Sequence, residues 1–204
     1  MKHSIALKIF ALAVGIIALT VVVAVTTNVE VIGLGTDVSN VARKTIPLAA
    51  EAADLNEAGL FRRIAFERLY REYGEPEPDL KTVTDARTNF DKNTERVYKQ
   101  IGVLREGMQK LPDDPKEREL FAQAREVVGQ FETAFRSTTE LAEKTLAARK
   151  AGDRAKAKEL LEFTFRGQIE MRALRSKLQD LMGDLALESA KKAEARKNRV
   201  LLSS

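Results

Sequence analysis

"LAARKAGDRAKAKELL", residues 146–161, decides the fold. Its flanks are Ala, Leu, Lys and Arg, residues that enter a helix at little cost. Between them, Gly152 stands where a helix ends in a left-handed turn. Asp153 stands where the next begins, with a carboxylate to accept from the free N–H groups of the first turn. Two helices joined by so short a link turn back on one another, so the stretch predicts an antiparallel helical hairpin.

The same punctuation recurs upstream in "GEPEPD" (74–79) and "LPDDPKE" (111–117). In the second of these, Asp114 reads as an N-cap and Pro115 as the first helical residue, where a missing N–H costs nothing. Pro47 is tolerable near a helix start. These breaks delimit four segments, about 37–73, 79–111, 115–150 and 153–200. Each carries one inward face in alternating steps of three and four residues. The first face is Leu48, Ala52, Leu55, Gly59, Arg62, Phe66, Leu69 and Tyr73; the second is Leu80, Val83, Arg87, Phe90, Thr94, Val97, Ile101, Leu104, Met108 and Leu111. The third is Ala124, Val128, Phe131, Phe135, Thr138, Ala142 and Thr145; the fourth is Leu160, Thr164, Gly167, Met171, Leu174, Leu178, Leu181 and Leu185. Met108, Met171 and Met182 read as core filler. The expected fold is all-α, an antiparallel up-down-up-down four-helix bundle.

Composition narrows the chemistry. Aromatics are only 6% of the chain, which favours helix-on-helix packing over a sandwich or barrel. There is no Cys, so disulfides and thiolate metal sites are excluded, and the single His is His3, so no His-based catalytic or metal group can form in the bundle. No nucleophile–base pair or phosphate loop is present, and no enzyme activity, metal or cofactor is expected. The net charge of +4 arises from Lys, Arg, Asp and Glu alternating on solvated faces, so no nucleic-acid partner is expected.

The N-terminus sets the compartment. "IFALAVGIIALTVVVAV" (9–25) carries no charge over seventeen residues, and with its neighbours reaches about 33 Å as a helix, enough to span a bilayer. Lys2 and Lys8 at its start place the N-terminus in the cytoplasm and the remainder outside. A cleaved signal is the competing reading, though Ala24-Val25-Thr26 makes a poor cleavage site. The expected organisation is a cytoplasmic tail (1–8), a transmembrane helix (9–27), an extracytoplasmic bundle (28–199) and, from "RVLLSS", the beginning of a second transmembrane helix (200–204).

The anchor, the "AGD" junction before an Ala- and Leu-rich helix start, and the long last helix turning apolar together resemble the four-helix-bundle sensor domain of bacterial methyl-accepting chemotaxis receptors and related transmembrane signal transducers. The resemblance implies a homodimer in the inner membrane with a periplasmic sensor domain. It also implies a small-molecule ligand or a ligand-loaded binding protein, and a shift of the last helix along the first that is passed across the bilayer.

A site follows from the inward faces themselves. Arg62, Arg87, Thr138 and Thr164 are polar where apolar residues are due, and counting from the distal loops puts them in one layer. Gly59 and Gly167 leave space beside it, Arg63, Arg68 and Arg166 add charge at the rim, and Phe66, Phe90, Phe135 and Phe163 supply walls. Two guanidiniums and two hydroxyls at one height suit a carboxylate or an amino acid. The competing reading is that the arginines reach the surface or pair with Glu67, Asp91 and Glu140, and that the threonines bond their own helices. The functional expectation is a sensor domain that binds a small anion; the alternative is a membrane-anchored structural or adaptor bundle.

Overall fold

The computed structural model of the chain describes residues 46–109, 112 and 114–203. They form four helices: α1 (Ile46–Glu72), α2 (Leu80–Gly107), α3 (Pro115–Lys150) and α4 (Arg154–Ser203). The transmembrane helix expected at 9–27 and the expected start of the first helix at 37 lie outside the described residues. No helix among the described residues is long and apolar enough to cross a membrane.

The helix ends are built as their residues dictate. Asp79 and Asp114 cap α2 and α3, accepting from Lys81 N–H at 3.1 Å and from Lys116 and Glu117 N–H at 3.0 and 3.1 Å. Asp153 accepts from Lys156 N–H at 2.9 Å at the start of α4. Gly152 takes φ +79°, the left-handed conformation that closes α3. Its N–H donates to Arg149 O and that of Asp153 to Ala148 O, which satisfies two of the last carbonyls of the helix.

Chain direction is read from side-chain meetings. Leu48 lies against Gly107 and Phe66 packs on Phe90, so α1 and α2 run antiparallel. Arg87 meets Glu143 and Tyr98 meets Phe135 across α2 and α3, while Thr138 meets Gly167 and Thr145 meets Thr164 across α3 and α4. Arg175 of α4 reaches Asn56 of α1 and closes the ring of helices.

Clustering of contacts divides the chain in two. Lys44–Ala186 is one compact unit, and 187–203 belongs to the other. Within the first unit the core has two parts. One runs from Leu48 to Ala58, through Phe131 and Phe135, to Leu185; the other gathers Ala65, Phe66, Leu69, Ala86, Phe90, Ala142 and Leu146. The three inward methionines, Met108, Met171 and Met182, are all buried.

The inward faces hold along most of their length, and α3 buries all seven of its predicted positions. Leu80 departs from the pattern and is 79% exposed. Phe66 lies six residues before the end of α1 at Glu72, whereas Phe90 lies ten residues after the start of α2 at Leu80. The start of α2 therefore projects about one turn, roughly 6 Å, beyond its neighbour, which leaves Leu80 uncovered while Val83 still packs on the Phe66 cluster.

One glycine is required by packing. A Cβ on Gly167 would press into the Thr138 hydroxyl and come within 3.2 Å of Thr138 Cβ and Cγ2. Thr138 is β-branched and buried, so it cannot swing aside. Gly167→Ala is expected to lower the unfolding free energy by about 1–2 kcal/mol despite the better helix propensity of Ala. Urea titration followed by circular dichroism measures it, and an unchanged midpoint would show that Thr138 yields.

Candidate anion site

The two parts of the core are separated by a polar layer, and Arg62 is its centre. The side chain projects from α1 with only 3% of its surface exposed. Its Nε donates to Thr94 Oγ1 at 2.8 Å and its Nη2 to Thr139 Oγ1 at 3.0 Å. The guanidinium lies over the rings of Phe90 and Phe135, with its Cζ 4.5 and 4.9 Å from their centroids. Among the described residues no carboxylate comes within salt-bridge distance of it. Burial pushes its pKa down to about 10, opposed by the more distant Glu143 and by Tyr98. It is thus fully charged at neutral pH and held by hydroxyls and ring faces alone.

The hydroxyls around it are already engaged. Thr94 donates to Phe90 O and Thr139 to Phe135 O, each at 2.7 Å, so both accept from Arg62 with their remaining lone pairs. Nearer the distal end, Thr145 and Thr164 lie 2.7 and 2.9 Å from Leu141 O and Leu160 O and share a hydrogen bond of 3.1 Å across α3 and α4, so one hydroxyl donates along its own helix and the other across.

The layer opens between α1 and α4 at a cleft lined by Gly59, Arg62, Arg63, Phe131, Phe135, Gln168, Met171, Arg172 and Arg175, with about 40 Å³ open to water-sized centres. That volume holds about three waters, or the three heavy atoms of a carboxylate. Arg175 crosses Gly59 to donate from Nη1 to Asn56 O at 3.1 Å, while its Nε is buried with no partner. Gln168 Oε1 is likewise buried without a donor. Burial, with the neighbouring charges of Arg172 and Arg63, pushes the Arg175 pKa down. Arg63 is tied to the exposed Glu67 at 2.7 Å; Arg172 and Arg175 have no carboxylate within reach among the described residues. Four arginines thus line one small cleft that contains no acid, and an anion placed there relieves their mutual repulsion.

The residues singled out from the sequence are divided by the structure. Arg62 and Thr138 lie in the layer and Arg63 at its mouth. Arg87 does not bind the cleft: Glu143 takes it with two hydrogen bonds of 2.8 Å and Asp91 adds a third at 3.0 Å, which together hold its pKa above the usual arginine value. Thr164 is spent on its own helix and on Thr145. Arg68 lies in a different groove, between α1 and α2, and Arg166 stays outside, over the ring of the 46% exposed Phe163. Phe163 therefore walls nothing, whereas Phe90 and Phe135 do.

The displacement has two causes. Counted from the loops, Arg87 already lies about three residues short of the level of Arg62, and the one-turn offset of α2 adds about four more, so Thr94, seven residues further on, stands opposite Arg62. Thr94 was already in the predicted inward face, so the register alone would have found it. Arg172 and Arg175 flank the inward Met171 and Leu174, and Gly59 opposite them is the signal that a large side chain crosses there.

Gly59 controls the cleft. A Cβ there would strike the Arg175 Nη1 and lie 3.2 Å from its Cζ, but this is the free end of a flexible side chain. Gly59→Ala is expected to leave the melting temperature equal or slightly higher, because Ala is worth up to about 1 kcal/mol over Gly in a helix. It should push the guanidinium out of the cleft and weaken anion binding several-fold. Undiminished binding would remove Arg175 from the site.

Compared with protein-family models, curated proteins and solved structures, the chain matches none. What is established of its kind is a four-helix, all-α antiparallel bundle.

Proposed function

We propose that the chain is the extracytoplasmic sensor domain of a bacterial transmembrane chemoreceptor or related signal transducer, and that it binds a small carboxylate in the cleft between α1 and α4. One observation carries this reading. Arg62 is buried and charged without a carboxylate, and Arg63, Arg172 and Arg175 converge on the same opening. A core seldom keeps an unpaired cation, because the desolvation cost is returned only when an anion arrives. The cleft lies between the helix that follows the apolar segment 9–27 and the last helix. A ligand bridging Arg62 and Arg175 therefore acts on the relative height of α1 and α4, and small steps between discrete packings are a known means of signalling. In this reading the protein is a homodimer held in the inner membrane by its N-terminal helix, which contacts lipid, and it meets either the free ligand or a ligand-loaded binding protein. The chain then does no chemistry of its own.

The test is a thermal-shift and calorimetric titration of the full chain with succinate, malonate and a panel of amino acids. A ligand that binds the folded state alone raises the melting temperature with concentration. The expected result is a rise with at least one carboxylate, lost in Arg175→Gln and Arg172→Gln while the melting temperature without ligand is kept. If no carboxylate shifts the transition, or if both variants respond as the unaltered chain does, the bundle is a structural or adaptor module.

A further inference from the structure

A second concavity runs between α1 and α2, and the arginine layer takes no part in it. It is lined by Phe61, Ile64, Ala65 and Arg68 on α1 and by Ala86, Asn89, Lys92, Asn93 and Arg96 on α2, with about 380 Å³ open to water-sized centres. The spacing explains its origin. On each helix these residues recur every three or four positions and so form one stripe, and the stripes face each other through two buried alanines, Ala65 and Ala86. Small residues opposite one another leave a trough where larger ones would have met. Its apolar wall is left wet: Phe61 is 45% and Ile64 51% exposed.

The charge on the trough is of one sign. Arg96 is committed to Asp54 and Glu57. Arg68 and Lys92 form no ion pair among the described residues, and no Asp or Glu lines the trough. Its floor also holds the buried Asn93, whose amide donates to Asn89 O at 2.7 Å. An apolar floor of ligand-binding size, with two cations at its edge that no carboxylate among the described residues bonds, is complementary to a molecule that is apolar at one end and anionic at the other. It does not suit a second copy of the chain on a two-fold axis, which would bring the Arg68 and Lys92 of both copies into one cleft without an acid.

We propose that this trough is a separate binding site for a small amphipathic anion. An aromatic or branched apolar body lies over Ala65 and Ala86 against Phe61 and Ile64, and a single carboxylate, sulfonate or phosphate head lies between Arg68 and Lys92. The head gains charge-assisted hydrogen bonds, and the body removes from water a surface that the bundle otherwise leaves exposed.

The probe is 4-phenylbutyrate, titrated calorimetrically into the full chain in nanodiscs of uncharged lipid, with empty nanodiscs subtracted. The comparators are 4-phenylbutan-1-ol, which keeps the body and lacks the charge, and acetate, which keeps the charge and lacks the body. Saturable binding of 4-phenylbutyrate is expected, with both comparators weaker by about tenfold or more, the size of one lost charge-assisted bond. Replacing Arg68→Gln together with Lys92→Gln, both exposed, should weaken it about tenfold without moving the melting temperature, and Ile64→Gln should weaken it as well. Arg175→Gln should leave it unchanged. The proposal falls if the double variant binds as well as the unaltered chain or if the alcohol binds as tightly as the acid. It falls too if Arg175→Gln costs as much as the double variant, since the probe then sits in the α1/α4 cleft. A sedimentation mass that halves in Ile64→Gln, with no binding of 4-phenylbutyrate to the unaltered chain, would give the trough to a second copy and overturn it equally.

Discussion

Arg62→Met should raise the unfolding free energy of this protein by about 1–4 kcal/mol while abolishing its affinity for carboxylates. The acceptors Arg62 uses are Thr94 and Thr139, and both hydroxyls retain their own donor bonds to Phe90 O and Phe135 O. Removing the guanidinium therefore strands no buried donor. Methionine has similar length, and its sulfur packs well between the Phe90 and Phe135 rings. The gain comes from the charge no longer buried. Burial that brings the Arg62 pKa from the usual arginine value down to about 10 corresponds to about 3 kcal/mol of preference for the neutral form. The sign follows from linkage: the folded state holds fewer protons than the unfolded chain from about pH 10 up to the usual arginine range, so this cost is present in full below pH 10 and fades above it. The advantage of the methionine variant should accordingly be constant from pH 6 to 9 and narrow above pH 10. Arg62→Ala behaves differently, because it leaves a void under both rings and lowers stability. Paired urea titrations of the three proteins decide it. A methionine variant less stable than the unaltered chain would make Arg62 a structural strut.

Phe90→Ala should be the most damaging single change, at about 3–5 kcal/mol. Phe90 is fully buried where the smaller part of the core meets the polar layer: its ring lies 6.4 Å from that of Phe66, carries Arg62 at 4.5 Å and has Arg87 at 5.5 Å. Its loss opens a cavity and removes one of the two ring faces beneath a buried cation. In a chain of 204 residues the melting temperature should fall by about 6–20 °C. Phe90→Leu separates the two effects, since it refills most of the volume and none of the π-face. It should recover most of the stability and leave carboxylate affinity reduced. Full recovery of both would show that the ring acts through volume alone.

Much of this arrangement could be read from the residues. The caps at Asp114 and Asp153, the left-handed Gly152 and the spacing of apolar residues depend on neighbours within one turn, and those neighbours are adjacent in sequence. The inwardness of Arg62 and Thr138 was legible for the same reason. What could not be read was pairing between helices. Arg87 chooses Glu143, not Glu140, because α2 and α3 meet in a particular register, and the periodicity of one helix carries no information about the height of its neighbour. Leu80 looks inward by spacing and is exposed because the adjoining helix ends short of it, and Phe163, expected as a wall of the site, faces out beside the inward Thr164.

The threonines of the polar layer have a mechanical consequence. Thr94 and Thr139 each give their one proton to the carbonyl four residues back on their own helix. Across the helices they only accept, so a neighbour that slides past leaves no hydroxyl proton without a home. In a close-packed apolar core the same movement would have to lift interlocked side chains over one another. At this level the polar contact of α1 with α2 and α3 runs through one guanidinium and two accepting hydroxyls. A shift of α1 there has those two bonds to remake, and the cation that makes them is the part that an arriving anion would grip.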